Sequence, residues 1–191
     1  IVRPSHTYNE TGIPLAIHGK GSWSVIDRII KGKPVIIHGD GTSLWTLTHS
    51  TDFAKAFIGL MGNPAVIAHA IHITSDEALT WDQIYDRIGD ALNVPVKKVH
   101  VATDFLVGCD PGYEGPLAGD KSVSVVFDNN KIKRIVPEYT ASIRFDQGVR
   151  MSVQYLLAHP ELQIPDPAFD SFCDRVIAAQ QKALDYFKAS S

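Results

Sequence analysis

The sequence predicts an α/β fold, and three stretches carry that expectation. Residues 33–57, KPVIIHGDGTSLWTLTHSTDFAKAF, run through a β-branched strand, a glycine turn, an alternating extended segment and the start of a helix. Residues 71–93 show the same order of strand, turn and helix, and residues 145–158 and 167–191 are amphipathic at helical spacing.

Each element has a local reason. Residues 1–4 read as the end of a buried strand stopped by Pro4. A short apolar run at 15–17 precedes Gly19-Lys20-Gly21-Ser22-Trp23-Ser24 and a helical pattern of Trp23, Ile26, Ile29 and Ile30. That arrangement admits two readings: a dinucleotide-binding turn, or a glycine-rich loop whose Ser22 caps an ordinary surface helix. Ser24 at the third glycine position and Pro14 in the preceding strand favour the second. Val35, Ile36 and Ile37 are β-branched and suit a pleated surface. Gly39 and Gly41 turn the chain, residues 44–48 extend, Thr51 is placed to cap a helix with Asp52 in its first turn, and Gly62 ends it. Phe53, Phe57, Leu60 and Met61 share a face of that helix.

A strand is expected over residues 66–73, with His69 and His72 on opposite sides and so unsuited to a shared metal. Thr80 and Gln83 form a capping box for a helix with Trp81, Ile84, Tyr85, Ile88 and Leu92 on one face and Asn93 at its end. Residues 99–101 form a short strand. Residues 108–120 hold four glycines and two prolines, a long turn-rich connection of the kind that lies over a site or is mobile. A strand over 122–127 and a short helix capped by Asp128 follow. The helix over 145–158 has Val149, Val153, Leu156 and Leu157 as its apolar face. The last helix has Phe169, Phe172, Val176, Ile177, Leu184 and Phe187.

With 191 residues, 45% apolar and 20% charged, the chain can build one domain with a substantial core. Its net charge of -3 leaves no basic footprint for nucleic acid, and no apolar run approaches the roughly 20 residues of a membrane-spanning helix. Cys109 and Cys173 are far apart and form no ligand or redox motif, which places the protein in a reducing, cytoplasmic compartment. No zinc spacing, phosphate loop or Ser-His-Asp order is present, and no metal site is expected.

Several segments resemble the extended short-chain dehydrogenases, the NAD-dependent epimerase/dehydratase family. GDGTSLWTLTHSTDFA is similar to that family's G-D-G-x-x-x-R-D-[FY]-[VI]-H-V-x-D-[VL]-A; the glycine turn, His49, Asp52 and Ala54 match, while Trp45 and Thr46 stand where arginine and aspartate belong. Arg3, Pro4, Ser5, His6, Thr7 and Tyr8 resemble R-P-x-N-x-[YF], with His6 for the asparagine. HITSDEALTWDQIYDRIGDALN and FDNNKIKRIVPEY resemble two later segments.

The resemblance covers most of residues 1–158 and leaves 159–191 as a C-terminal helical tail. It implies the last strands of a Rossmann-like parallel sheet with a small α/β substrate-binding lobe. The chain would then start just downstream of the catalytic Tyr-x-x-x-Lys. None is present: the tyrosines are followed four residues on by Gly12, Gly89, Leu117, Ile143, His159 and Ser190.

The implied protein is an NAD- or NADP-dependent epimerase, dehydratase or reductase acting on a sugar-like or other small hydroxylated substrate, active when intact and inactive as this chain alone. The alternative is a non-catalytic ligand-binding or regulatory member of the same fold. The resemblance places Pro4 and Ser5 beside the nicotinamide, and His6 and Trp45 at the substrate. Trp45 cannot grip a diphosphate as arginine does, so that role would pass to Arg144 or Lys121 or not be needed. His49 and Asp52 read either as site residues or, better, as groups satisfying backbone at a strand end and a helix start. The expected partners are the substrate, the missing nucleotide-binding half and a second copy of the chain, because the first strand would leave an open edge and a bare apolar face.

Overall fold

The computed structural model describes residues 1–190 and has seven short strands and seven α-helices. In chain order they are β1 (Val2–Pro4), β2 (His6–Tyr8), α1 (Trp23–Ile30), β3 (Val35–His38), β4 (Leu44–His49), α2 (Ser50–Leu60), β5 (Ile71–Ile73), β6 (Ala78–Thr80), α3 (Trp81–Leu92), β7 (Lys98–Val101), α4 (Thr103–Cys109), α5 (Asn130–Ile135), α6 (Phe145–Ala158) and α7 (Pro167–Ala189).

Three small sheets result. β1 pairs with β5 and β3 with β7, both in parallel; β4 takes β2 in parallel on one side and β6 antiparallel on the other. The α/β class is as expected. Val35, Ile36 and Ile37 are all buried, as a parallel strand covered on both faces requires.

The main core joins α1, β3, α3, α6 and the first half of α7 through side chains such as Ile26, Ile37, Trp81, Ile84, Phe145 and Val176. Burying a side chain of this size contributes about 1.5–3 kcal/mol. A second, smaller core lies around β5, α2 and α5 and contains Ala56, Leu60, Ile71, Ile73 and Ile132.

Most local signals act as their chemistry dictates. Thr80 and Gln83 complete the capping box, and Asn93 ends α3 in the left-handed conformation at φ 56°. Gly62, at φ 72°, follows α2. Asp128 accepts a hydrogen bond from the Asn130 amide at the start of α5.

Elsewhere tertiary contacts overrule the local expectation. The strand expected over 66–73 is only β5; residues 64–66 form a turn of 3-10 helix instead. The turn-rich 108–120 region is helical: α4 runs into a 3-10 turn (Pro111–Tyr113) and a π-helical segment (Glu114–Lys121). Residues 122–127 join no ladder, although the Val125 amide donates to the Leu44 carbonyl and so runs beside β4. The apolar run at 15–17 is buried but irregular.

Caps change hands as well. Thr51 does not cap α2; its amide donates to the His49 imidazole. Ser22 does not cap α1, because its hydroxyl is bonded to the Ile13 amide and carbonyl. On the long helices, Leu157 (48% exposed), Leu184 (48%) and Phe187 (70%) lie outside the core their spacing suggested. Among the described residues, no helix is long and apolar enough to cross a membrane.

Candidate functional site

A cavity of about 340 Å3 forms where β1 hands over to β2 beside β4. Its floor is Pro4, Ser5 and His6, and Trp45 and Thr46 form one wall. Asp120, Lys121 and Phe127 close the other side. The register of the β2–β4 pair, His6 against Leu47, brings the histidine within two residues of Trp45.

Hydrogen bonds hold each wall. The Ser5 hydroxyl lies 2.9 Å from that of Thr48, which also accepts from the Ser75 amide at 2.8 Å. The Lys121 carbonyl accepts from His38 Nε2 at 3.0 Å and from the Ser43 hydroxyl at 2.8 Å. Those two bonds pin the end of the π-helical segment over the site. His38 is buried, which pushes its imidazole pKa down and leaves it neutral to donate.

The His6 ring has no hydrogen-bond partner among the described residues and faces the cavity. Burial first, then the neighbouring Lys121 ammonium and His18, push its pKa down to about 4. At neutral pH it is an uncharged imidazole with one donor and one acceptor, suited to hydroxyl groups. The Lys121 ammonium is loosely held, 3.4 Å from the Pro116 carbonyl, 3.5 Å from Asp120 and 5.8 Å from the Trp45 ring centroid. Trp45 packs on Trp81 at 5.8 Å.

The cavity thus unites four of the five residues expected at a site: Pro4, Ser5, His6 and Trp45. Arg144 is not among them. Its side chain is 66% exposed and bound to Asp146 at 3.2 Å, so it offers no grip on a ligand in this cavity. His49 and Asp52 are bound into the scaffold instead. Asp52 is fully buried and accepts from the Ile143 amide (2.7 Å), Lys55 (2.7 Å) and Ser142 (3.2 Å), tying the approach to α6 onto α2.

The loop 19–24 does not fit a pyrophosphate. The Ser24 hydroxyl bonds the Gly19 amide and Gly21 carbonyl, and the Asp166 carboxylate takes the Lys20 amide and packs against Gly19. The amides of residues 19–21 are engaged and a negative charge already sits there. Asp120 and Phe127 carry no mark of a site in the sequence; the one signal is the turn-rich 108–120 stretch, since a connection of that kind often lies over a site.

No family model matches the chain. A 2'-dehydrokanamycin reductase of Streptomyces kanamyceticus is 29% identical over 119 residues, 62% of this chain and 33% of that protein. The UDP-glucose 4-epimerase of Thermotoga maritima superposes with TM-score 0.59 at 18% identity, over 82% of this chain and 45% of its own. The dTDP-glucose 4,6-dehydratase of Bacillus anthracis, solved with NAD, gives 0.60 at 18% identity, over 84% and 45%. The UDP-glucuronic acid 4-epimerase of Bacillus cereus, also with NAD, gives 0.62 at 16%, over 85% and 45%.

The chain has the fold of the C-terminal part of the NAD-dependent epimerases and dehydratases. It spans a third of the curated relative and under half of these solved structures. Within that epimerase/dehydratase fold, the cavity lies at the carboxyl end of β1, where open α/β sheets place their ligands.

Proposed function

We propose that this chain is the substrate-binding part of an NAD- or NADP-dependent epimerase, dehydratase or reductase acting on a sugar-like, hydroxylated small molecule. The observation that carries the reading is the single cavity uniting Pro4 and Ser5 with His6 and Trp45. Pro4 and Ser5 present one edge for a nicotinamide. The dinucleotide supplies hydride transfer when bound, and its phosphates need a nucleotide-binding half outside this chain. His6 and Trp45 face the substrate, the imidazole toward hydroxyls and the indole toward the apolar face of a ring. Sugar chemistry also marks the names of the relatives, a reductase, two epimerases and a dehydratase. The catalytic tyrosine and lysine are not in this chain, so it is inactive alone and active within the intact protein in the cytoplasm.

Calorimetric titration tests this reading. Methyl α-glucoside should bind the chain, and His6→Ala should weaken binding about tenfold, the value of one hydrogen bond, while leaving the urea midpoint in place. Unchanged affinity would remove His6 from the site. Isotope-labelled NAD should bind only weakly to residues 1–191, and tight binding would overturn the division of the cofactor site.

A further inference from the structure

A second cavity, about 250 Å3, abuts the first, and the two share the side chains of His6 and Lys121. It is floored by Leu15 and Ala16 and walled by Tyr113 and Gly112. Each chamber is at or below the small end of the roughly 300–1,000 Å3 typical of ligand sites, and together they lie well within it. Each also offers an aromatic wall, Trp45 with Phe127 in the first and Tyr113 in the second. The partition between them is made of two polar side chains whose hydrogen-bonding capacity is unused or weakly used. Among the described residues the His6 ring has no hydrogen-bond partner, and the Lys121 ammonium has long polar contacts of 3.4 and 3.5 Å besides the Trp45 ring at 5.8 Å. The Lys121 backbone is fixed through its carbonyl, which accepts from His38 and Ser43.

Two bulbs joined by a polar waist fit a ligand of the same outline. We infer that the chambers form one site for two linked polyhydroxylated rings, each ring against one aromatic residue, with the linking oxygen and its flanking hydroxyls at His6 and Lys121. This rests on the sugar-like substrate proposed above and narrows it. The donor set agrees: Lys121, beside Asp120, is an ammonium, Arg144 is held on Asp146, and no guanidinium lines either chamber to grip a diphosphate with two parallel bonds.

The test uses the chain with methyl α-glucoside, maltose and UDP-glucose as probes, followed by amide shifts in NMR and by calorimetry. Maltose should bind about tenfold tighter than methyl α-glucoside. It should shift residues of both chambers, while methyl α-glucoside shifts the first alone. Gly112 is exposed at the wall of the second chamber and a Cβ there meets only the Asp110 carboxylate, so Gly112→Leu adds bulk at that chamber's rim without entering the core. It should reduce maltose to the affinity of methyl α-glucoside and leave methyl α-glucoside unchanged. Equal affinity for one and two rings, with shifts confined to the first chamber, overturns the two-ring site and leaves the substrate reading standing. Tighter binding of UDP-glucose than of maltose overturns it too. Absence of shifts with either glycoside overturns both.

Discussion

At the scale of single residues, His6 and Tyr8 show how burial alone sets chemistry. His6 holds its proton less well folded than unfolded, about 4 against an ordinary imidazole value of 6.5. The unfolded chain therefore binds the extra proton between those pH values. Stability is complete above about pH 6.5 and falls as the pH drops toward 4. His6→Asn should flatten that slope in urea titrations, while the His38 contribution, of the same sign, remains. Tyr8 has a buried hydroxyl with no partner, set over Gly148 where any Cβ would overlap it. Gly148→Ala should cost about 1–3 kcal/mol by overpacking. Tyr8→Phe should be neutral or stabilising, because it removes an orphaned hydroxyl, and combined with Gly148→Ala it should recover part of the loss. Equal stability of the wild type and Gly148→Ala would mean that the ring moves aside freely.

The same accounting applies to Asp52. Burial raises its pKa, but hydrogen bonds from Lys55 and the Ile143 and Ser142 groups outweigh this and hold it below the usual carboxylate value. Its contribution is present above about pH 4 and lost as pH falls through the lower folded value. Asp52→Asn should cost about 2 kcal/mol at pH 7 and progressively less in acid, read from urea midpoints. The position was visible in the sequence as a carboxylate opening a helix. Its clients at 142 and 143, ninety residues on, were not, because nothing local to α2 specifies them.

Elements were legible in proportion to how much of their stability is local. The capping box of α3 and the β-branched run of β3 are decided by neighbours within a few residues, and both stand where their sequence puts them. The 108–120 region was misjudged because glycine and proline mark turns, yet Leu117 is fully buried and anchors a π-helical segment against the core. The C-terminal helix illustrates the same point. Arg28, 1% exposed, reaches the Pro34 carbonyl and forms ion pairs with Asp170 and Asp174, the latter at 2.7 Å, clamping α1 to the first half of α7. Residues 181–190 are exposed throughout. Leu184→Ser should leave near-ultraviolet circular dichroism and the urea midpoint unchanged. Arg28→Met should cost about 2 kcal/mol and open α7 to hydrogen exchange; the value is limited because both carboxylates are partly exposed and regain water.

For the molecule as a whole, β1 pairs on one side only, and Ile1, Phe57 and Met61 are exposed beside it around an apolar groove. An open strand edge with bare apolar surface favours association. Sedimentation of the isolated chain should show self-association with binding of an apolar dye, and a monomer that binds no dye would contradict this. The α/β class, the order of the principal elements and the resemblance to the fold of epimerases and dehydratases were all present in the sequence, because hydrophobic period, caps and glycine turns are properties of adjacent residues. The sequence also marked Pro4, Ser5, His6 and Trp45. Only the tertiary structure brought them to one cavity, set Arg144 outside it and placed Lys121 and the second chamber beside His6. Those relations join residues from about forty to more than a hundred positions apart, and they exist only once the chain has closed around its core.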